Sequence, residues 1–414
     1  MGNYHDPVRQ LKYLRQTLSQ NKKPLGFFMS AGCPLAVKME NDKWPLIPDI
    51  AGLTKYVTEQ LCSKDQKKKT NYDLLLSELG KTKIINPNIE DILSFVRSLK
   101  QVSKGAKDVR GFIEKDLDDL EKNICNKIVE KVNVPLPNDN TPYHQFAKWI
   151  HNIERDIPIE VFTTNYDLLV EQAFEDIKVP YFDGFVGSRQ PFFDLKAVED
   201  GLIPKHWTRL WKIHGSINWF QKQNNEVYRS TEIKSDSYVI HPSHLKYDQS
   251  RKMPYLALID RLNSFLRQNS CVLITLGYSF NDEHLNDTII NALRANQNSM
   301  VIGLLYNSLT YTDKDGNKYE RYKNAVELAE KRSNLSLWSF DEAIIGGVRG
   351  YWQIINLEPQ DNIANVIESN TPSSSAEKNS EKTIYNFKLS DFSIFGNFIQ
   401  ELIGEEQFKV DINE

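Results

Sequence analysis

The chain has 414 residues, 40% apolar, 26% charged and 11% aromatic, with a formal net charge of -4. That length allows two or three units at about 100–200 residues each, with ample core, in an ordinary water-soluble composition. The slightly acidic balance excludes a protein that coats nucleic acid, which needs a basic domain, and no apolar run approaches a membrane span of about 20 residues.

The first residues, Met1-Gly2-Asn3-Tyr4-His5-Asp6, are not followed by the apolar stretch of a secretory signal, and Asp6 stands where a myristoylation motif wants Ser or Thr. Asp6-Pro7 reads as the cap and first turn of a helix with Leu11, Leu14 and Leu18 on one face. Leu25 to Met29 reads as a strand, followed by the small-residue turn Ser30-Ala31-Gly32-Cys33. A second turn, Pro45 to Asp49, precedes a helical pattern through Leu53, Tyr56, Val57 and Leu61.

From 63 to 155 helical periodicity dominates, through Ile92, Phe95 and Val96, then Ile113, Leu117, Leu120 and Ile124, then Phe146, Trp149 and Ile150. This predicts an inserted helical domain, preceded by an exposed basic run, Lys67 to Lys69. Strand signals return at Ile159–Thr163, Leu210–Ile213, Tyr238–Ile240, Val272–Leu276 and Val301–Tyr306. The runs at 272–276 and 301–305 are apolar on both faces, as central strands of a parallel sheet are. Helical patterns at Leu168–Phe174, Leu256–Leu266 and Leu285–Leu293 fall between them. The fold class expected is therefore α/β, a Rossmann-like doubly wound parallel sheet with an inserted helical domain. The expected division is a discontinuous Rossmann domain (1–62 and 156–357), the helical insert (63–155), a flexible polar linker (358–384) and a C-terminal amphipathic segment with an acidic tail (385–414). That last segment carries an apolar stripe, Phe392, Phe395, Phe398, Ile399, Leu402 and Ile403, and an acidic tail. The stripe either packs back on its own chain or docks on another subunit; the second outcome favours a homo-oligomer.

Four segments carry chemistry, each where a strand should end; in a doubly wound sheet such ends converge on one ligand crevice. Ser30-Ala31-Gly32 lets backbone approach a pyrophosphate, or is an ordinary turn. Cys33 reads as a small buried residue rather than a nucleophile. Thr163-Thr164-Asn165-Tyr166-Asp167 closes a strand with polar side chains; its plain alternative is a helix cap by Thr164 or Asn165. Lys212-Ile213-His214-Gly215-Ser216 exposes an imidazole suited to general base work near neutral pH, although a lone His is more often structural. Gly277-Tyr278-Ser279-Phe280-Asn281-Asp282 offers close backbone approach and a hydroxyl donor, or a turn capped by Asn281 or Asp282. His241-Pro242-Ser243-His244 reads as a plain loop.

In this order the segments resemble the sirtuin pattern of Gly-Ala-Gly-x-Ser, Ile-Pro-Asp-Phe-Arg, Thr-Gln-Asn-Ile-Asp, His-Gly and Gly-Thr-Ser. Ile47-Pro48-Asp49 matches part of the second motif, without its Phe-Arg. The first departs at its first Gly, and the third carries Thr for Gln and Tyr for Ile. The resemblance covers roughly 20–60 and 155–310. It implies that NAD is bound as substrate. Asn165 would hold the nicotinamide ribose and its water, and His214 would be the base. Ala31, Gly32 and Ser279 would line the phosphates beside Thr164 and Gly277. Asp167 or Asp49 would orient the carboxamide or the cofactor loop, and Asn307 would reach the adenosine ribose.

Sirtuin deacylases carry a four-cysteine zinc module that shapes the acyl-lysine groove. Here four cysteines lie at 33, 62, 125 and 271, with no C-x-x-C pair, so no metal site is readable. Few, scattered cysteines also fit a reducing cytoplasm. The chain therefore resembles the stand-alone sirtuin-like NADases of anti-phage defence that act with a HerA-type ATPase. The resemblance implies hydrolysis of NAD to nicotinamide and ADP-ribose. The alternatives are an NAD-dependent deacylase or ADP-ribosyltransferase, and a non-catalytic NAD-sensing scaffold.

Overall fold

The computed structural model describes residues 3–40, 43–65, 68–82, 84, 86–104, 108–138, 140–222, 226–231, 238–240, 254–355, 365–369 and 384–404. Its centre is a ten-stranded sheet. In chain order the strands are β1 (Tyr4–His5), β2 (Leu25–Met29), β3 (Glu160–Thr163), β4 (Tyr181–Phe182), β5 (Thr208–Lys212), β6 (Val272–Leu276), β7 (Met300–Leu304), β8 (Leu335–Trp338), β9 (Glu342–Ile345) and β10 (Val348–Trp352). Their spatial order is β1-β10-β9-β8-β7-β6-β2-β3-β5-β4. The seven strands from β8 to β4 are parallel to one another, and the hairpin β9–β10 turns antiparallel at one side.

Strand alternation divides the core between two faces, because successive side chains of a strand point to opposite sides. Phe27, Val161, Leu210, Ile274 and Ile302 enter one apolar cluster. Their neighbours Phe28, Phe162, Trp211, Leu273 and Val301 enter the other. Helices cover both faces, which is why these strands read as unbroken apolar runs.

The helices are α1 (Pro7–Ser19), α2 (Ile50–Leu61), α3 (Asn71–Leu79), α4 (Ile89–Ser103), α5 (Glu114–Val132), α6 (Pro142–Asn152), α7 (Leu169–Ile177), α8 (Leu195–Asp200), α9 (Tyr255–Leu266), α10 (Glu283–Ala295), α11 (Lys323–Glu330) and α12 (Phe392–Glu401). Asp6 caps α1 as the sequence suggests, accepting from the Val8 amide at 3.0 Å, and Leu11, Leu14 and Leu18 are buried. Between β2 and β3 the chain runs through α2 to α6. Within 63–155 the isolated bridge Val109–Phe112 is the one strand pairing among the described residues. In this stretch α6 lies directly on the sheet, with Phe146 and Trp149 edge-on to Phe27 at 4.9 and 5.7 Å between ring centroids.

A second sheet has no counterpart in the sequence reading. Five antiparallel strands order as Tyr238–Ile240, Gly215–Gln221, Val227–Arg229, Phe192–Phe193 and Phe185–Val186. Tyr238–Ile240 is thus a strand, but of this sheet rather than of the parallel one. The linker expected over 358–384 holds a strand where it is described: Ile367–Ser369 pairs with Tyr385–Phe387. The rest of that stretch, the His241–His244 loop, Lys67 and the acidic tail from 405 lie outside the described residues. Among the described residues no helix is long and apolar enough to cross a membrane.

The C-terminal stripe packs back on its own chain. Phe392 meets Tyr143 of α6 at 5.1 Å, and Phe395 meets Phe27 at 6.2 Å. Gly396 permits the approach, since a Cβ there would fall 2.3 Å from the Gln145 side chain and 3.2 Å from Pro142 Cα. The apolar face that suggested subunit docking is therefore covered from within. Phe395 has no exposed surface. Phe395→Ala is expected to lower the unfolding free energy by about 3–5 kcal/mol, the usual range for an emptied aromatic site. Urea unfolding measures it, and a loss below about 1 kcal/mol overturns the seating of α12 on the core.

Candidate functional site

The crevice follows from strand order. From β2 the chain places β3, β4 and then β5, which enters between β3 and β4, on one side, and β6, β7 and β8 in turn on the other. The carboxyl ends of β2 and β6 therefore form a topological switch point, where open α/β sheets bind ligands. The two strand-end turns touch there. Ser30 N donates to Leu276 O at 3.0 Å and Gly32 N to Gly277 O at 3.1 Å. A Cβ on Gly32 would fall 2.7 Å from Gly277 Cα; one on Gly277, at φ +66°, would fall 2.6 Å from Cys33 N. Only glycines allow this backbone contact. Cys33 lies buried behind it, its thiol donating to Leu276 O at 3.3 Å and pushed up to about 12 by burial. That is a packing residue, as the sequence suggests, and not an activated nucleophile.

Above the contact opens a cavity of about 300 Å³. Ala31, Thr164, Asn165, Asp167, His214 and Ser279 all line it. All four sequence segments thus reach one space. Gly32 and Gly277 are absent from its walls and pack beneath the turns that form them. The Gly32 amide is spent on Gly277 O, so its contribution is close packing rather than a free donor.

Two sequence-nominated residues fall elsewhere. Asp49 is exposed and caps α2, accepting from Gly52 N at 2.8 Å; its neighbours Pro48 and Ile50 form the wall instead. Asn307 is exposed at φ +74°, its carbonyl accepting from Phe340 N at 3.1 Å, away from the cavity lining. It was nominated by resemblance to the Asn that contacts the adenosine ribose, at the end of its strand, and it is not among the residues that line the cavity.

The polar walls are cross-tied. Ser30 and Thr164 hydroxyls bond at 2.7 Å. Asn165 Nδ2 donates to Ser30 O at 3.3 Å, and its backbone N to Thr163 Oγ1 at 3.0 Å. The side chain is therefore fixed at the strand end and does not cap α7. Asp167 accepts from Leu169 N at 3.0 Å, while buried Lys212 donates to Asp167 O and, at 2.8 Å, to Glu171 Oε1. Burial pushes the Asp167 and Glu171 carboxyls upward, with Lys212 opposing it. This lysine locks the Thr163–Asp167 segment to β5 and so holds Asn165 and His214 in register.

His214 sits in the tight turn between β5 and the strand Gly215–Gln221, with Gly215 at φ +90°. Its Nε2 lies 3.4 Å from Asp282 Oδ2, and both side chains are largely buried. Asp282 Oδ1 at the same time caps α10 through Leu285 N at 3.2 Å. The cap reading of Asp282 holds, and its second oxygen supplies what sequence reasoning missed: a carboxylate facing the imidazole. Tyr166 stands beside His214, with ring centroids 6.5 Å apart. Its hydroxyl, held well above the usual range by burial and by Glu90, donates to Glu90 Oε1 at 3.2 Å. Asn88 and Glu90 of the helical stretch line the same cavity.

Among the described residues no three His, Cys, Asp or Glu side chains gather as a metal site, and the four cysteines are free thiols.

Residues 159–328 match the family model of a SIR2-like domain. Two solved structures are similar. One, titled as the structural basis for the mechanism and regulation of Sir2 enzymes, is 15% identical, with 72% of this chain and 85% of that chain covered and a TM-score of 0.28. The other is a Sir2 homolog–NAD complex at 12% identity, covering 74% and 84%, with a TM-score of 0.30. No curated protein matches the chain. The parallel sheet with its switch-point cavity and the matched residues 159–328 make this a sirtuin-like, Rossmann-type fold.

Proposed function

We propose that the chain is an NAD glycohydrolase. The observation that carries the reading is one cavity at a switch point that gathers a fixed Asn165 and a His214–Asp282 pair above a glycine-on-glycine backbone contact. A water oxygen bonds to C1′ of the nicotinamide ribose as the C1′–N1 bond breaks. The bonding pair goes to the ring nitrogen, so nicotinamide leaves neutral and needs no acid. The water's proton passes to the His214 imidazole, whose cation faces the Asp282 carboxylate. Asn165 orients the ribose and the water, and positive charge at C1′ is met by a preorganised polar wall. Products are nicotinamide, ADP-ribose and a proton.

We take water as the acceptor from the sequence, in which the four cysteines at 33, 62, 125 and 271 form no C-x-x-C pair from which to build the deacylases' zinc module. The test is incubation of the full chain with NAD, followed by chromatography of the products. Equimolar nicotinamide and free ADP-ribose, undiminished by EDTA, are expected. Acyl-lysine-dependent turnover, or ADP-ribose appearing only on protein, would assign the cavity to transfer chemistry. NAD bound and recovered intact would assign it to sensing.

From the sequence resemblance we further propose a role in anti-phage defence, in the cytoplasm and with a HerA-type ATPase; the homo-oligomer expected from subunit docking of the C-terminal stripe loses that support, because the stripe packs on its own chain. Light scattering with and without such an ATPase reads the assembly, and NAD levels in infected cells read the role.

A further inference from the structure

The cavity has an unexpected electrostatic character. Glu90, Asp167 and Asp282 line it, with no Lys or Arg among its described lining residues. Asp167 is committed to the Leu169 amide, and Asp282 to α10 and His214. Glu90 differs from the buried Asp167 in being half-buried: its Oε1 accepts from Tyr166, and among the described residues no hydrogen bond reaches Oε2. Glu90 also lies on α4, outside the matched 159–328.

Its placement is built. The capping box of Asn88 and Asp91 fixes the first turn of α4, with Asn88 Oδ1 accepting from the Glu90 amide at 2.8 Å and the Asp91 amide at 3.1 Å. Ile89 N donates to Thr54 Oγ1 of α2 at 2.8 Å. Farther along α4, Arg97 pairs with Glu121 of α5 at 2.6 Å. The backbone of Glu90 is therefore held from three sides, and the Tyr166 bond draws its carboxylate toward the His214 end.

We propose that Glu90, supplied by the helical insert, is a specificity residue for the cationic N-ribosylpyridinium end of the substrate. The inference rests on the glycohydrolase reading and names the group that the site distinguishes. Oxidised NAD carries a positive pyridinium ring; NADH carries a neutral dihydropyridine, and ADP-ribose lacks the nicotinamide ring. A half-buried carboxylate attracts the first and is nearly indifferent to the other two, since charge–charge attraction in a partly dehydrated cleft outlasts screening by bulk water. As the C1′–N1 bond breaks, the positive charge moves from ring to ribose, and the same carboxylate follows it. Glu90 acts by direct contact with substrate; Tyr166 is its positioning residue.

The experiment is calorimetric binding of three probes to the full-length protein and to Glu90→Gln. The probes are carbocyclic NAD, whose ring methylene makes the glycosidic bond inert while keeping the pyridinium charge, NADH and ADP-ribose. Glu90→Gln is expected to weaken carbocyclic NAD by about tenfold and to leave NADH and ADP-ribose within about twofold. Tyr166→Phe is expected to give a smaller loss with the same selectivity. Equal weakening of all three probes would reduce Glu90 to a structural residue, and no weakening of carbocyclic NAD would remove it from the site. The outcomes separate from those of the parent reading. Selective binding without nicotinamide release sinks the hydrolase and keeps Glu90. Hydrolysis with unchanged selectivity in Glu90→Gln keeps the hydrolase and sinks Glu90. A wild-type chain that binds none of the probes sinks both.

Discussion

His214→Ala is expected to lower NAD turnover by ~100-fold or more, the usual scale for loss of a positioned base. Asn165→Ala is expected to do the same by releasing the ribose and its water from the strand end. Neither substitution should unfold the chain. The imidazole pairs with Asp282, but Asp282 keeps its cap bond to Leu285 N without it. Asn165 loses only a bond to the Ser30 carbonyl. The informative control is Asp282→Asn, which retains a cap and a neutral partner for His214 but no longer balances its cation. Its turnover should fall between wild type and His214→Ala, with the melting temperature of each variant as the check on folding. Wild-type turnover in His214→Ala would remove the imidazole from the chemistry, whatever the fate of Asn165.

The sequence made the central parallel strands legible because burial on both faces leaves a pattern no solvent-facing strand has. Leu25–Met29 and Val272–Leu276 are read to the residue. The strand-end motifs were legible for a related reason, since Asn165, His214 and Ser279 all follow such strands into the cavity. What failed was whatever depends on a partner distant in the chain. The second sheet escaped because its strands are as short as Phe185–Val186 and Phe192–Phe193, too brief for a period-two pattern. The stripe of α12 was plain as a helix face, yet its cover is α6, and nothing near Phe395 names Tyr143 or Gln145 as neighbours. Asp282 showed itself only as a cap, because one carboxylate oxygen serves α10 while the other serves His214. Glu90 gave no local signal at all. It reaches the cavity through the fold of the insert, and a carboxylate in the first turn of a helix reads simply as dipole compensation.

Gly277→Ala is the substitution with the largest expected effect on the fold of the site itself. Two costs add. Alanine at φ +66° costs about 1–2 kcal/mol of backbone strain. Its methyl would also stand 2.6 Å from Cys33 N and 2.8 Å from Gly32 Cα, so two turns must part, at roughly 1–3 kcal/mol for overpacking a rigid contact. The sum, about 2–5 kcal/mol, is a large fraction of the margin of most domains. Because the same turns carry Ser30 and Ala31 on one wall and Tyr278 and Ser279 on the other, parting them also widens the cavity mouth. Turnover should therefore fall even at temperatures where the variant stays folded. Gly201 isolates the two terms. It sits at φ +65° with nothing within 4 Å of an added Cβ, so Gly201→Ala pays the strain alone. Urea unfolding of both variants, paired with NAD turnover, is expected to show about 1–2 kcal/mol and unchanged turnover for Gly201→Ala. Gly277→Ala should show the larger loss and a fall in turnover. Equal losses in the two variants would mean that the glycine contact is not what shapes the switch point, and that the cavity owes its form to the cross-tied side chains of Ser30, Thr164 and Asn165 instead.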